Sequence, residues 1–392
     1  MNSILFLLRS FSVGGAERQL CVLALGLQQK GYSVKVAVIY TGGALEAEAR
    51  KMGLQVVDLK RKGRWDLIPF FFRLIRLVKS EKPDILHSYL QVPNIWSAFV
   101  KILQPRTKVV WGVRSSDIKW KDYGLQWQLT DMVESLLRKI PDWIILNSHA
   151  GLLHHAKLGY PSQKMSVVHN GIDTRAFFPD RKLGHALRAQ WGIRDNQKLI
   201  GMAARVDPVK DYPAFLRAAS LLLQARQDVR FVCVGGGSSD YVRECRELAA
   251  SLNLDDFLIW AGERADMLNV YNAFDILVLS SVSEGVSNVI GEAMACGVPC
   301  VVTDVGDSAQ LVGSLGEIVP SGDSEALKQG VLIMLDRLAN DEELSERLSQ
   351  RIIEQFSIAK LVSRTVTILD EVAKIDGVNR PAINFFSRKN DH

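Results

Sequence analysis

The feature that most constrains the fold is an alternation of short apolar runs with helical patterns, which occurs twice along the chain. In the first half, runs such as ILFLL, SVKVAVIY and WIILN alternate with helical segments such as residues 16–30 and 125–139. The second half repeats the alternation with KLIGMAARV, RFVCVGGG, FLIWAG, DILVLSS and PCVVTD. This pattern is typical of βαβ units, in which helices cover both faces of a parallel sheet. At 392 residues the chain also exceeds the usual size of a single core. We therefore predict an α/β protein of two doubly wound domains that face a central cleft.

Turn-forming residues set the predicted domain limits. Gly, Asp and Pro interrupt the alternation around HNGIDTRAFFPDRKLG, before the second series begins. We predict a first domain over residues 1–170, a hinge over 171–197 and a second domain over 198–355. A last helix is expected over 356–375 and a frayed tail over 376–392. Ligands of such domains bind at the carboxyl ends of the strands, so the chemistry is sought there.

Composition excludes several protein classes. No apolar run approaches the 18 or so residues of a membrane span. The N-terminal apolar run has neither a basic region before it nor a small-residue cleavage site, so it is interpreted as the first strand rather than a signal peptide. Five cysteines, an odd number with no C-x-x-C spacing, favour a reducing cytoplasm and no zinc site.

One stretch, SSVSEGVSNVIGEAMACGVPCVVTD, carries the clearest functional signal. Its pattern predicts a strand, a sharp turn, and a helix that starts after Ser287 as the N-cap. The unpaired N–H groups of Ser287, Asn288 and Val289 would form an anion site suited to phosphate. Glu284 precedes the turn and Glu292 lies about one turn into the helix, so the two carboxylates could bracket a nucleotide sugar. Two surface glutamates are the alternative interpretation.

Two further segments are expected at the same phosphates. Arg205 and Lys210 follow the first strand of the second domain, where their charges could stabilise a diphosphate leaving group. A solvated surface pair is the alternative. Gly14 and Gly15 follow the first strand of the chain, where missing side chains let backbone amides approach phosphate. No D-x-D pair occurs in the sequence, so no metal site and no other cofactor is predicted.

Together these motifs resemble the family 4 (group 1) glycosyltransferases of the GT-B fold over nearly the whole chain. The matching segments are GGAER, VHNGIDTRAFFP, ARVDPVKDYP and SEGVSNVIGEAMACGVPCVVTD. The resemblance implies an acceptor-binding first domain and a nucleotide-sugar-binding second domain, both Rossmann-like, with the last helix crossing back to the first domain. It also implies metal-independent transfer with retention at the anomeric carbon. Glu284 is expected at the hexose, Glu292 at the ribose, and Arg205 and Lys210 at the diphosphate.

The segments PDILHSYLQVPNIWSAFV and VVWGVRSSD are similar to the bacterial O-antigen and surface-polysaccharide subgroup. Many family members have a histidine where this chain has Arg114. Arginine cannot act as a base near neutral pH, but it can hold a sugar hydroxyl or a phosphate, so Arg114 is a donor-binding candidate beside a purely structural role. His87 lies at a strand end and could reach donor or acceptor. A satisfied histidine at the sheet edge is the alternative.

The predicted function is transfer of a hexose or N-acetylhexosamine from a nucleotide sugar, with UDP favoured, to a lipid-linked oligosaccharide in surface polysaccharide synthesis. Front-face substitution through an oxocarbenium-like state is the expected mechanism. A soluble sugar phosphorylase, a sucrose-type synthase and a non-catalytic nucleotide-sugar-binding subunit are the alternatives. No nucleic acid partner is expected.

An uneven charge distribution suggests where the protein works. Residues 1–170 hold 24 Lys and Arg against 12 Asp and Glu, a net charge of +12, whereas residues 171–392 hold 24 against 31, a net charge of −7. Basic residues cluster around WDLIPFFFRLIRLVK, which suits an anionic membrane surface, so we predict a cytoplasmic protein associated peripherally with the inner face of the cytoplasmic membrane. Alternatively, Phe70, Phe71, Leu74 and Leu77 pack on the sheet and leave the cations solvated. The cluster consists of Lys60, Arg61, Lys62, Arg64, Arg73, Arg76 and Lys79.

Overall fold

The computed structural model describes residues 3–12, 14–63, 65–114 and 125–374. The chain divides into two compact units. The first comprises the residues up to His169 together with the segment from Leu361 onward, and the second runs from Asn170 to Lys360. Among the described residues, no helix combines the length and the apolar character that crossing a membrane requires.

The first unit contains a seven-stranded parallel sheet in the order β3-β2-β1-β4-β5-β6-β7. Its inner strands are buried almost without interruption rather than on alternate residues, because helices cover both faces. The order reverses between β1 and β4, and in doubly wound sheets this switch point is where ligands bind. The strands are β1 Ser3–Leu8, β2 Ser33–Val38, β3 Gln55–Asp58, β4 Ile85–Tyr89, β5 Lys108–Val113, β6 Trp143–Leu146 and β7 Met165–Val167.

Seven helices accompany this sheet in the described part of the unit. The last of them packs on the first, since a Cβ atom at Gly26 would lie 2.3 Å from Val362 Cγ2. The helix predicted over 356–375 thus lies against the first unit. The helices are α1 Gly15–Gln29, α2 Glu46–Lys51, α3 Leu67–Glu81, α4 Gln91–Leu103, α5 Leu125–Leu137, α6 His149–Lys157 and α15 Ile358–Lys374, which begins just before the unit boundary.

The second unit repeats the design with a six-stranded parallel sheet in the order β10-β9-β8-β11-β12-β13. Here the switch point lies between β8 and β11. The strands are β8 Lys198–Ala203, β9 Val229–Val234, β10 Leu258–Gly262, β11 Ile276–Leu279, β12 Cys300–Thr303 and β13 Glu317–Val319. The helices are α7 Arg181–Gln190, α8 Tyr212–Ala225, α9 Ser239–Ser251, α10 Met267–Ala273, α11 Asn288–Ala295, α12 Ser308–Val312, α13 Ser324–Asn340 and α14 Leu344–Gln355. The prediction of two doubly wound parallel domains is confirmed.

The segment 171–197, which we predict as a hinge, contains a packed helix of the second unit. Asp180 caps α7, because its carboxylate accepts hydrogen bonds from Lys182 N and Leu183 N. The helix then packs on α10 so closely that a Cβ atom at Gly184 would lie 2.1 Å from the carbonyl oxygen of Asn272. Asp180, one of the turn residues on which the predicted linker was based, is therefore the N-cap of a helix.

Candidate active site

The loops that follow β8 and β11 are joined by hydrogen bonds at the switch point of the second unit. Val282 N donates to Val209 O at 2.9 Å. The buried Ser280 hydroxyl is 2.9 Å from both Lys210 O and Asp211 O. These contacts hold the predicted diphosphate loop and the predicted hexose loop as one structure.

Lys210 and Glu284 form an ion pair between these loops. Lys210 Nζ contacts Glu284 Oε1, and Ser281 Oγ donates to the same oxygen at 2.7 Å. The two side chains are only 20% and 10% exposed, so bulk water screens their attraction weakly. A cation and a carboxylate thus stand together where the sequence predicts a diphosphate next to a sugar.

Arg205 is the more accessible cation of this site. Its side chain is 71% exposed and lies 3.1 Å from Asp207 Oδ2. The backbone on either side of Arg205, in contrast, is held by the end of β9 and the loop after it, because Ala204 N donates to Val234 O at 2.9 Å and Val206 N donates to Gly236 O at 2.8 Å.

Glycines make that close backbone contact possible. A Cβ atom at Gly235 would lie 1.9 Å from Ala204 O, and one at Gly237 would lie 2.1 Å from Val206 O. These glycines are not among the residues predicted for the site, although the GGG run at the end of a strand is a signal of close backbone approach.

Helix α11 begins beside Glu284. Ser287 occupies the N-cap position as predicted, but its side chain accepts no hydrogen bond from the helix, so it does not satisfy the first N–H groups of α11. Gly306, at a φ of +58°, brings the loop after β12 against this segment, since a Cβ atom there would lie 2.4 Å from Glu284 O. Asn288 Oδ1 accepts a hydrogen bond from Asn170 Nδ2 at 2.9 Å. Val289 follows in the first turn of the helix.

Glu292 is held by a residue that our sequence analysis missed. The hydroxyl of Tyr271 donates to Glu292 Oε2 at 2.7 Å. Tyr271 is fully buried, and this burial, together with the neighbouring Glu292 carboxylate, raises the pKa of its hydroxyl well above the ordinary value. The phenol is therefore a neutral donor at any physiological pH.

The glycine pair of the first unit lies at the start of α1. Gly14 is the N-cap residue, in an extended conformation, and Gly15 begins the helix. A Cβ atom at Gly14 would lie 2.3 Å from Glu17 Oε2, whereas one at Gly15 would meet nothing within 4 Å. Ser12 Oγ donates to Glu17 Oε1 at 2.8 Å. A carboxylate thus lies over Gly14, and a phosphate there would have to displace it, which our sequence analysis did not anticipate.

Arg114 and His87 both contact Tyr89. Arg114 Nη2 donates to the Tyr89 hydroxyl at 2.5 Å, and its guanidinium carbon lies 4.6 Å from the ring centroid. His87 is fully buried, with ring centroids 5.2 Å from Phe6 and 4.9 Å from Tyr89.

The environment of His87 does not favour the predicted contact with an acceptor. Among the described residues its ring nitrogens have no hydrogen-bond partner. Burial, aided by the positive charge of Arg114, lowers the pKa of His87 to about 3, so the ring is neutral. The reason is that His87 lies in the middle of β4 rather than at its end, and β4 is covered on both faces.

Comparison with known proteins identifies the chain. The family model described as "Glycosyltransferase Family 4" matches residues 13–176, and the one described as "Glycosyl transferases group 1" matches residues 197–337. The chain belongs to the family 4 glycosyltransferases. The resemblance seen in its motifs is thereby confirmed, and enzymatic glycosyl transfer with a nucleotide sugar is supported at this general level.

Curated relatives cover most of this family 4 glycosyltransferase. It is 26% identical over 312 residues to N-acetyl-alpha-D-glucosaminyl L-malate synthase of Bacillus anthracis, which spans 78% of this chain and 79% of the relative. It is 26% identical over 302 residues to UDP-Gal:alpha-D-GlcNAc-diphosphoundecaprenol alpha-1,3-galactosyltransferase of Escherichia coli, covering 74% and 76%. The crystal structure of Anabaena Alr3699/HepE in complex with UDP superposes with a TM-score of 0.83 at 22% identity, over 95% of this chain and all of that one. This likeness confirms the GT-B fold.

Proposed function

We propose that this protein is a retaining, metal-independent glycosyltransferase that moves a hexose or N-acetylhexosamine from a UDP-linked donor to a lipid-linked glycan acceptor in surface polysaccharide synthesis. The observation that carries the proposal is the contact of Lys210 with Glu284 at the switch point of the second unit, in a loop that also carries Arg205. A cation next to a carboxylate suits a diphosphate joined to a sugar. The E. coli relative and the UDP complex of the Anabaena protein bear names that fit this donor.

The proposed chemistry divides the work among these side chains. Glu284 accepts hydrogen bonds from the hexose hydroxyls, while Lys210 and Arg205 compensate the charge that develops on the diphosphate. The bond between C1 and the phosphate oxygen breaks, the acceptor oxygen bonds to C1 from the same face, and the acceptor proton passes to the leaving phosphate oxygen. Glu292 holds the ribose, and the N-terminus of α11 faces phosphate. Arg114, next to Tyr89, and the Gly14 and Gly15 loop remain donor-binding candidates of the first unit.

Substitution tests the site. Glu284→Ala, Arg205→Ala and Lys210→Ala should each lower turnover by about a hundredfold or more, because each removes a positioned transition-state contact. Arg243→Ala is a matched control, since Arg243 forms an exposed ion pair with Asp240 on α9 and should leave turnover unchanged. Turnover is measured with radiolabelled UDP, GDP and ADP sugars on membrane extracts. Wild-type activity in all three site variants would remove the assignment, and no transfer by the wild type would favour a non-catalytic binding protein.

The lipid-linked acceptor is supported by a surface around α3. The apolar residues of α3 divide into two sets. Phe70 and Leu74 are buried in the core, as the alternative interpretation of this segment expects, but Ile68 and Phe72 are 71% and 67% exposed. Trp65, just before the helix, is 83% exposed. Exposed apolar residues beside cations suit insertion into an anionic bilayer.

Not all of the predicted cations are available for lipid. Arg73 is held by Asp66 at 2.5 Å and by Leu59 O at 2.8 Å, and Arg61 lies over the rings of Tyr40 and Phe70. Arg64 lies outside the described residues. The described members of the predicted cluster that are exposed are Lys60, Lys62, Arg76 and Lys79. We propose that these four, together with the exposed apolar residues, dock the enzyme on the inner face of the cytoplasmic membrane.

Vesicle co-sedimentation tests docking. The wild type should bind anionic vesicles more strongly than neutral ones, and the binding should weaken as salt rises from low to high concentration. Changing Lys60, Lys62, Arg76 and Lys79 to Gln should weaken binding to anionic vesicles, because each cation near the headgroups contributes about 1 kcal/mol. Changing four exposed cations of the second unit, Lys182, Arg243, Lys360 and Arg347, to Gln controls for net charge. Equal binding by both quadruple variants, or no binding by the wild type at low salt, would contradict docking by this surface.

A soluble acceptor is the second candidate. The B. anthracis relative is named for transfer to L-malate, a small soluble acid. If the wild type ignores anionic vesicles, transfer to small hydroxy acids becomes the next assay.

A further inference from the structure

The carboxylate of Glu292 is held from inside the second unit rather than by a surface residue. Tyr271, in α10, is fully buried, and its hydroxyl donates to Glu292 Oε2 at 2.7 Å. Its ring packs edge-on against Phe177 and Phe274, with centroid distances of 5.7 and 6.4 Å. The packing of its ring therefore fixes the position of the Tyr271 hydroxyl.

Both helices that carry this hydrogen bond are themselves fixed. Next to Tyr271, Asn272 Oδ1 accepts from Asp180 N at 2.6 Å, and Asn272 Nδ2 donates to Phe178 O at 3.0 Å, which ties α10 to the start of the unit. On α11, Gly291 lies so close to Ile172 that a Cβ atom there would be 2.7 Å from Ile172 Cγ1. Neither helix can shift freely, so the bond between Tyr271 and Glu292 fixes where the carboxylate points.

We propose that Tyr271 is a positioning residue that orients Glu292 for the ribose diol and so makes the enzyme select ribonucleotide over 2′-deoxyribonucleotide donors. The inference rests on the proposed function, in which Glu292 meets the ribose. A carboxylate offers about four acceptor positions on its two oxygens, so it can accept from Tyr271 and from sugar hydroxyls together. A carboxylate with a preset orientation loses less rotamer entropy when the ribose binds.

The chemistry of the pair suits this role. Because the Tyr271 hydroxyl keeps its proton, it donates a hydrogen bond to Glu292 and adds no negative charge near a phosphate. The hydrogen bond is also charge-assisted and therefore among the stronger ones in proteins. Loss of the hydroxyl should disturb recognition of the ribose without changing the charge of the site.

The test measures nucleotide discrimination rather than activity. Calorimetry first identifies which of UDP, GDP and ADP the wild type binds best, and then compares that diphosphate with its 2′-deoxy analogue. The wild type should bind the ribo form roughly ten- to a hundredfold more tightly, which is the effect of one hydrogen bond to a charged group. Tyr271→Phe should bind the deoxy form as the wild type does and lose most of the preference. Glu292→Gln should lose the same preference, and the double variant should lose no more than either single one.

A matched control separates positioning from general loosening. Tyr212 is also fully buried in the second unit, and its hydroxyl donates to Ala204 O at 2.6 Å. Tyr212→Phe removes a buried hydrogen bond without touching Glu292, so the ratio of ribo to deoxy affinity should stay at the wild-type value. If Tyr271→Phe does not fold, Glu292→Asp, which withdraws the carboxylate from the tyrosine, should show the same loss of preference.

The outcomes distinguish this inference from the function on which it rests. Equal weakening of both nucleotides by Tyr271→Phe would show a merely structural tyrosine and overturn the inference. A wild type that binds a diphosphate without preferring ribose would overturn it too, while leaving donor binding intact. Binding of none of the three diphosphates would instead overturn the proposed function.

Discussion

A methyl group at Gly235 should disable the diphosphate loop without touching any charged residue. A Cβ atom there would lie 1.9 Å from Ala204 O, whereas an ordinary contact between carbon and oxygen is about 3.3 Å. In Gly235→Ala the carbonyl would have to retreat by about 1.4 Å, and it directly precedes Arg205. Misplacement of a binding group by about 1 Å can cost roughly a hundredfold in rate, so a loss of this size in kcat/KM is expected. The φ of Gly235, +144°, adds backbone strain.

The assay for Gly235→Ala needs a control for that strain. Gly192 also has a positive φ, +69°, but a Cβ atom there would meet nothing within 4 Å. Gly192→Ala should lower the thermal unfolding midpoint slightly and leave kcat/KM unchanged. Diphosphate affinity and kcat/KM are measured for both variants, together with the unfolding midpoint. If Gly235→Ala keeps wild-type affinity and turnover, the close packing of the two loops does not position Arg205.

Further predictions concern metal, pH and packing. Activity should survive EDTA, and complete loss restored by Mn²⁺ would contradict the metal-independent mechanism. Burial raises the pKa of Glu134 to about 7, although Asn94 donates to it at 3.1 Å. Because this carboxyl holds its proton in the folded protein but loses it near pH 4.5 when unfolded, wild-type stability should fall as the pH rises from about 4.5 to 7 and stay low above that. Glu134→Gln should remove this fall, which is worth up to about 3 kcal/mol of unfolding free energy. The unfolding midpoint of the variant should therefore exceed that of the wild type at pH 8 but not at pH 4.5. Equal midpoints at pH 8 would refute the raised pKa of Glu134. Gly201→Ala should lower the free energy of unfolding by about 1–3 kcal/mol, because its Cβ atom would lie 2.3 Å from the Phe274 ring. Adding Phe274→Leu to this variant should restore part of the lost unfolding midpoint.

Local sequence pattern was sufficient for the elements but not for the contacts between them. Short apolar runs and helical segments predicted two parallel sheets, because hydrophobic periodicity depends on nearby residues. The pairing of Lys210 with Glu284, 74 positions apart, depends instead on β8 lying next to β11. Strand order is a property of the whole sheet, so the sequence could place both residues at strand ends without showing that they touch.

Residues inside the domains were harder to predict than residues at turns. The sequence predicts His87 at a strand end, whereas the structure places it in the middle of β4, where it is fully buried. The helices that cover both faces of this strand cannot be inferred from the neighbours of His87 along the chain. Tyr271 stands in the apolar context VYNAF, where a tyrosine is expected to pack in the core, and only the structure shows that its hydroxyl reaches Glu292. The helix α3 shows the same difficulty, since Phe70 and Phe72 are alike in sequence but buried and exposed respectively.

The charges around β8 and β11 suggest how donor binding and chemistry are connected. Lys210 lies against Glu284 and Arg205 lies near Asp207, so each cation already has a carboxylate partner. A diphosphate that draws Lys210 away would leave the largely buried Glu284 carboxylate with reduced charge compensation, which is costly unless hydrogen bonds replace the ion pair. Ser281, which donates to Glu284 at 2.7 Å, supplies one such bond, and the hexose hydroxyls would supply others. A bare diphosphate offers no hydroxyl at that position, so the complete donor should satisfy the site better than its leaving group does. Binding energy from the sugar would in this way favour the reacting complex over the product complex.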